Sequence, residues 1–189
     1  MRALALAITV SLIASGACTT PQPATAAPDQ ASSAPKDVKG EPLRRIPVSS
    51  PEEYAAVKDD LQAGDIVVLA NGDWRDFDLV LEAEGTAEHP VYLVAEEPGR
   101  VVLSGQSSLR LGGQHLVVSG LVFRDGHTPR NEVISFRRDS KTLAFNSRVT
   151  NTVIENYHNP ARAQRNTWGV MYGQNNHFDH NHFTGELYS

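Results

Sequence analysis

The chain has 189 residues, enough for one domain of ordinary size with appendages. Hydrophobic residues make up 40 % and charged residues 21 %, so a packed core is possible. The formal net charge of −5, with no basic tract, excludes the strongly basic face usual in nucleic-acid binders. An acidic protein can still take a polyanion, but only through a local basic cleft.

In chain order, residues 1–17 read as an export signal: Arg2 supplies the positive start, residues 3–14 an apolar run, and Ser15-Gly16-Ala17 a small-residue cleavage site. The apolar run is too short to span a bilayer, which takes about 20 residues. Cys18, the single cysteine, directly follows. Lipid attachment there would anchor the protein to a membrane; simple cleavage would leave an unmodified thiol. Ser15 stands where a lipoprotein signal prefers a branched aliphatic residue, so both readings stay open. The expected location is outside the cytoplasm, as a periplasmic or outer-membrane lipoprotein or a secreted protein. One cysteine allows no intramolecular disulfide. Residues 18–45, rich in Pro, Ala, Ser and Thr, have too little apolar surface to offset chain entropy and read as a flexible tether.

The ordered part, expected over 46–189, opens with a helix signal. Ser50 can cap, Pro51 suits the first turn and Glu53 completes a capping box. Tyr54, Val57 and Leu61 follow at helical spacing up to Gly64, as an amphipathic structural cap. From Ile66 the pattern turns to short β-prone runs broken by Gly, Asn and Pro, among them Leu116 to Phe123, Leu143 to Val149 and Phe178 to Phe183.

A weak repeat runs through the later runs. Val118 and Phe123, Ala144 and Val149, and Phe178 and Phe183 each stand five apart. An odd separation breaks strict alternation, so a bend must lie between two inward residues. Ser119-Gly120, Asn146-Ser147 and His180-Asn181 occupy those bends and tolerate irregular backbone. That is the corner of a β-solenoid coil, with unequal repeats absorbed by loops. Nine Asn residues between Asn131 and Asn181 favour stacked coils, where amides can form ladders.

The most specific segments are Asn146 to Ile154 (NSRVTNTVI), Tyr157 to Pro160 (YHNP) and Trp168 to Gly185 (WGVMYGQNNHFDHNHFTG), preceded by Gly64 to Trp74 and His115 to Gly126. In this order they resemble the polysaccharide lyase family of alginate lyases and chondroitinase B, with the alginate-lyase branch favoured. Glu186 departs from the basic residue expected there. The resemblance implies an all-β, right-handed parallel β-helix with an N-terminal capping helix, incomplete at its C-terminal end. It also implies cleavage of alginate, an acidic polysaccharide, by β-elimination. A Ca²⁺ ion would neutralise the uronate carboxylate, a lysine would take the C5 proton and an arginine would assist the leaving oxygen. The family's calcium ligands, lysine and arginine follow the segment matching His177 to Gly185. No catalytic and no metal residue is therefore assigned here; all are expected beyond Ser189, in a longer parent lyase.

Two residues are candidate substrate contacts. Tyr172 lies in the Trp168 to Gly185 segment, where an aromatic could face a sugar cleft; its alternative is packing at a coil edge. Arg148 could pair with a uronate carboxylate or sit in a structural ion pair. Arg137-Arg138 and Arg162/Arg165 are the local basic clusters, as cleft residues or as solvated loop charge. Asn175, His177, Asp179, His180 and His182 read as surface and corner residues rather than a zinc set. Competing functions are a chondroitinase B-like glycosaminoglycan lyase and a non-catalytic lipoprotein that binds acidic polysaccharide.

Overall fold

The computed structural model describes residues 43–160 and 167–185. The export signal, Cys18, nearly all of the tether, Arg162, Arg165, Asn166 and Glu186 lie outside the described residues.

Strand β1 (Arg45–Val48) comes first, then helix α1 (Pro51–Val57). Three strands make each following coil. The first coil is β2 (Ile66–Leu69), β3 (Gly72–Arg75) and β4 (Asp78–Glu84); the second is β5 (Val91–Ala95), β6 (Val101–Gly105) and β7 (Ser108–Gln114). The third is β8 (Leu116–Ser119), β9 (Leu121–Gly126) and β10 (Glu132–Ser135), with a short extra strand β11 (Ala144–Phe145). The fourth is β12 (Arg148–Thr150), β13 (Val153–Glu155) and β14 (Thr167–Val170), after which β15 (His177–Asp179) and β16 (His182–Thr184) begin another turn. The result is a parallel β-solenoid of about 4 turns with one short helix near its start; the right-handed course is that of parallel crossovers generally.

The strands stack into three parallel sheets, in the orders β1-β2-β5-β8-β12-β15, β3-β6-β9-β13-β16 and β4-β7-β10-β14. Side chains at one register position form columns along the axis. Val67, Leu93, Val118, Val149 and Phe178 line up in the first sheet. Trp74, Leu103, Phe123, Ile154 and Phe183 do so in the second, and Leu79, Leu109, Ile134 and Gly169 in the third. Most are wholly buried, and each large apolar side chain so buried contributes about 1.5–3 kcal/mol. At Gly169 a Cβ would lie 2.4 Å from the Phe178 ring, so the missing side chain is what seats that ring.

These columns correct the repeat read from sequence. Val118/Phe123 and Phe178/Phe183 are equivalent, but the pair between them is Val149/Ile154, not Ala144/Val149. Ala144 belongs to β11 and pairs with Gly113 of the third sheet. The same five-residue spacing occurs at two different corners, and spacing alone does not tell them apart.

The bends fall where short polar residues allow them. Asn146, Asn151, Asn156, Asn175 and His180 have φ between 49° and 55°, and Gly120 has φ 86°. The stacked amides of Asn146 and Asn175 bond each other at 3.2 Å. Asn176 and Asn181 accept from the Ser147 and Thr152 backbone N–H groups of the previous coil, both at 2.9 Å. At the corners, amide side chains thus replace ladder carbonyls.

Helix α1 is shorter than its spacing predicts. It ends at Val57, a 3₁₀ turn covers Lys58–Asp60, and Leu61 is extended. Asp59 and Asp60 sit at the negative end of the helix, where carboxylates are unfavourable. The Ser50 side chain caps the Glu53 N–H, while the Glu53 carboxylate reaches one residue further back, to the Ser49 N–H and hydroxyl, both at 2.7 Å. Tyr54 is buried against Phe77 and donates to the Val80 carbonyl at 2.8 Å, docking the helix on β4. Arg44 already pairs with Asp65, just before β1.

Candidate functional site

The third sheet carries the chain's charged groove. Val80, Arg110, Ser135 and Val170 occupy one register position on successive coils, so residues far apart in sequence meet on one face. Between β10 and β11 the chain turns back over this sheet. Arg137 bridges Leu143 in antiparallel fashion, and the Arg138 N–H donates to the Thr142 carbonyl at 2.9 Å. Asp139 pins the turn by accepting from the Lys141 and Thr142 N–H groups at 2.8 and 3.0 Å. Gly112 of β7 makes room beneath, since a Cβ there would lie 2.9 Å from Thr142 Cγ2 and 3.1 Å from Arg138 Cβ.

A cavity of about 330 Å³ opens beside this turn, lined by Arg110, Arg130, Glu132, Arg137, Arg138 and Asp139 among others. Asp78 receives Arg110 Nη2 at 2.7 Å and Nε at 3.2 Å, Arg130 Nη2 at 3.2 Å and the Ser108 hydroxyl at 2.8 Å. Burial pushes the Asp78 carboxyl up, but the bonds from Arg110 and Ser108 and the two guanidinium charges outweigh it and hold it below its ordinary value. Arg138 is gripped by Glu82, Asp139 and Thr142. The Asp139 carboxyl is lowered to about 2, chiefly by the Lys141 N–H and then by Arg138 and the Thr142 N–H.

Glu132, at the start of β10, gathers three groups. It accepts from Tyr172 Oη at 2.8 Å, Arg137 Nη2 at 3.0 Å and Ser135 Oγ at 2.5 Å. The Arg137 guanidinium carbon stands 3.8 Å from the centre of the Tyr172 ring, a cation–π contact. Tyr172 follows β14, and its carbonyl is fixed by the Asn176 amide at 2.7 Å. The bond to Glu132 holds the Tyr172 phenol above its ordinary value. Tyr172 therefore stands at the rim of the arginine-lined groove, joined to Arg137 of the preceding coil.

Arg148 lies elsewhere, on the outer face of the first sheet. Its Nε and Nη2 meet both carboxylate oxygens of Asp179 at 2.8 and 2.6 Å, and Asp179 also contacts His180 Nδ1 at 3.0 Å. The Arg148 bonds, with His180 adding, hold the Asp179 carboxyl well below its ordinary value. Of the two candidate contacts, Tyr172 joins the groove and Arg148 sits in an ion pair across two coils. Among the described residues no group of three His, Cys, Asp or Glu side chains stands together as a metal set. Arg110, Arg130, Glu132 and Asp78 escape a reading by motif, because only coil register brings them together; the signal that would find them is alignment of Val80, Arg110 and Ser135.

The family profile of chondroitinase B matches residues 48–188. The chain belongs to this polysaccharide lyase family. Within the family it is closer to the alginate-lyase branch. The solved structure of the alginate lyase AlyGC is 49 % identical over 74 % of this chain, with a TM-score of 0.72. A mannuronic acid-specific family 6 lyase from human gut microbiota is 26 % identical over 76 % of the chain, with a TM-score of 0.69. A family 6 polysaccharide lyase of Pseudopedobacter saltans is 30 % identical over 70 %, with a TM-score of 0.62. The chain covers 19 %, 34 % and 30 % of those three proteins. No curated protein sequence matches it.

Proposed function

We propose that this chain is part of a polysaccharide lyase acting on alginate, and that the groove on the third sheet is where the acidic polysaccharide lies. The observation that carries the reading is the 49 % identity with AlyGC, an alginate lyase, over 74 % of the chain. The chemistry agrees with it: four arginines line one cavity, and Tyr172 stands at its rim on Glu132 and Arg137. Guanidinium groups match carboxylates in charge and shape, and aromatic rings suit the apolar faces of sugars. The described residues supply binding groups. The C5 proton transfer and the calcium-assisted stabilisation of charge are assigned to groups outside the described residues; the chain spans 19 % of the length of AlyGC.

The test is to incubate the full 189-residue chain with alginate oligosaccharides, following binding by calorimetry and unsaturated ends by ultraviolet absorbance. Binding that weakens with salt, without growth of absorbance, is expected. Absence of binding would sink the proposal; steady growth of absorbance with calcium present would mean that the eliminating groups are within this chain. The family profile's own name supports a second reading, a dermatan-type glycosaminoglycan as substrate. Tighter binding of that polymer than of alginate would favour it.

A further inference from the structure

The four groove arginines are not equivalent. Arg110 has every guanidinium nitrogen engaged: Nε and Nη2 on Asp78, and Nη1 on the Arg138 carbonyl at 2.7 Å. Arg138 is likewise filled, with Nε on Asp139, Nη1 on Glu82 and Nη2 on Thr142. Arg137 makes one hydrogen bond, from Nη2 to Glu132, and Arg130 makes one from its side chain, from Nη2 to Asp78. Their Nε and Nη1 groups carry no hydrogen bond among the described residues. A guanidinium offers two edges, each with two parallel donors. Whichever Nη2 hydrogen is taken, Arg137 and Arg130 each keep one whole edge open. Arg130 also shares its carboxylate with Arg110, leaving an excess of one positive charge at Asp78.

Exposure divides the four differently and does not explain this pattern. The Arg110 side chain is 18 % exposed, Arg137 34 %, Arg138 38 % and Arg130 51 %. Arg137 and Arg138 are similarly exposed neighbours, so their difference lies in partners. Arg138 holds the turn closed over Gly112, whereas Arg137 stands over the Tyr172 ring with an edge to spare.

We infer that Arg137 and Arg130 are the residues that take uronate carboxylates in this groove, with Tyr172 beside them, and that Arg110 and Arg138 are scaffold. Glu132 is the positioning residue, because among the described residues it alone bonds both Tyr172 and Arg137 across neighbouring coils. The inference rests on the proposed function and refines it. It predicts that chemically alike arginines differ sharply in their effect on binding. A charge-assisted bidentate contact is lost with Arg137→Gln, so affinity falls about tenfold. Arg130→Gln, at the more exposed position, costs about threefold. Arg138→Gln and Arg110→Gln lower the melting temperature but change the affinity of the folded protein less than about twofold.

The experiment is a titration of the full chain with an alginate tetrasaccharide, reading the arginine Nε–H signals by NMR alongside calorimetry of the four Gln variants. A neutral glucan tetrasaccharide serves as control. The wild-type titration needs no variant to fold: Arg137 and Arg130 signals should move while Arg110 and Arg138 stay. Glu132→Gln should weaken binding and return the Tyr172 phenol titration toward its ordinary value; Glu132→Asp should restore part of both. If alginate binds and all four arginines respond alike, or Arg110 and Arg138 respond alone, the division of roles is overturned while the groove stands. If the wild-type chain does not bind the tetrasaccharide, the groove assignment and this inference fall together.

Discussion

Two faces of the same solenoid hold arginines, and they use them differently. On the first sheet Arg148 meets one carboxylate, Asp179, through two bonds across two coils. On the third sheet four arginines share four acidic residues around a cavity, and two of them keep an open edge. Charge balance alone would rate the faces equal. What separates them is setting: Arg148 also keeps Nη1 without a hydrogen bond among the described residues, but Arg137 and Arg130 face a cavity with Tyr172 at its rim. An arginine on a β-solenoid is thus read by its open edge together with the surface that edge borders, not by its presence.

The strongest way to break the contrast is to lift the turn that builds the groove. Gly112→Val places side-chain atoms where Thr142 and Arg138 now sit, and overpacking of this kind costs about 1–3 kcal/mol. The turn should move off β7, lowering alginate affinity more than about tenfold, while the circular dichroism of the coils persists. Unchanged affinity would mean that the 137–143 turn does not form the binding surface.

Acid should act on the same turn, more weakly. The Asp139 carboxyl has a folded value of about 2 against an ordinary 3.8. A lowered value means that its contribution is present above about pH 4 and is lost as pH falls toward 2. The amide signals of Lys141 and Thr142 should therefore lose their protection in that window before those of the core strands. Arg148 is the small end of the series. An exposed ion pair is worth about 0–1 kcal/mol, so Arg148→Gln should leave alginate affinity within about twofold. A tenfold loss there would move the binding surface to the first sheet.

Much of this was legible in the sequence, and the failures have physical causes. The solenoid shows in the bends at Gly120, Asn146 and His180, because left-handed backbone selects Gly, Asn and His. The family shows in the segments around Tyr157 and Trp168. Tyr157 is a wholly buried hub whose hydroxyl accepts from the Ser107 N–H at 2.8 Å and faces the Ser107 carbonyl at 2.7 Å; burial pushes it up to about 12. The register was misread at Ala144, since two corners share one spacing. Strands β1, β3, β13 and β14 are only three or four residues long, too short for a hydrophobic pattern to announce them. Tyr172 and the Arg137-Arg138 pair could be picked out by residue type. Glu132, which joins Tyr172 to Arg137, could not, because an isolated Glu before Val133 looks like any strand start.

The most direct test is a backbone NMR map of the full chain titrated with an alginate tetrasaccharide. Shifts should cluster at Arg130 to Arg137 and Tyr172, on the third sheet, with quiet signals at Arg148, His177 and Asp179. Shifts centred on the first sheet, or none at all, would contradict it.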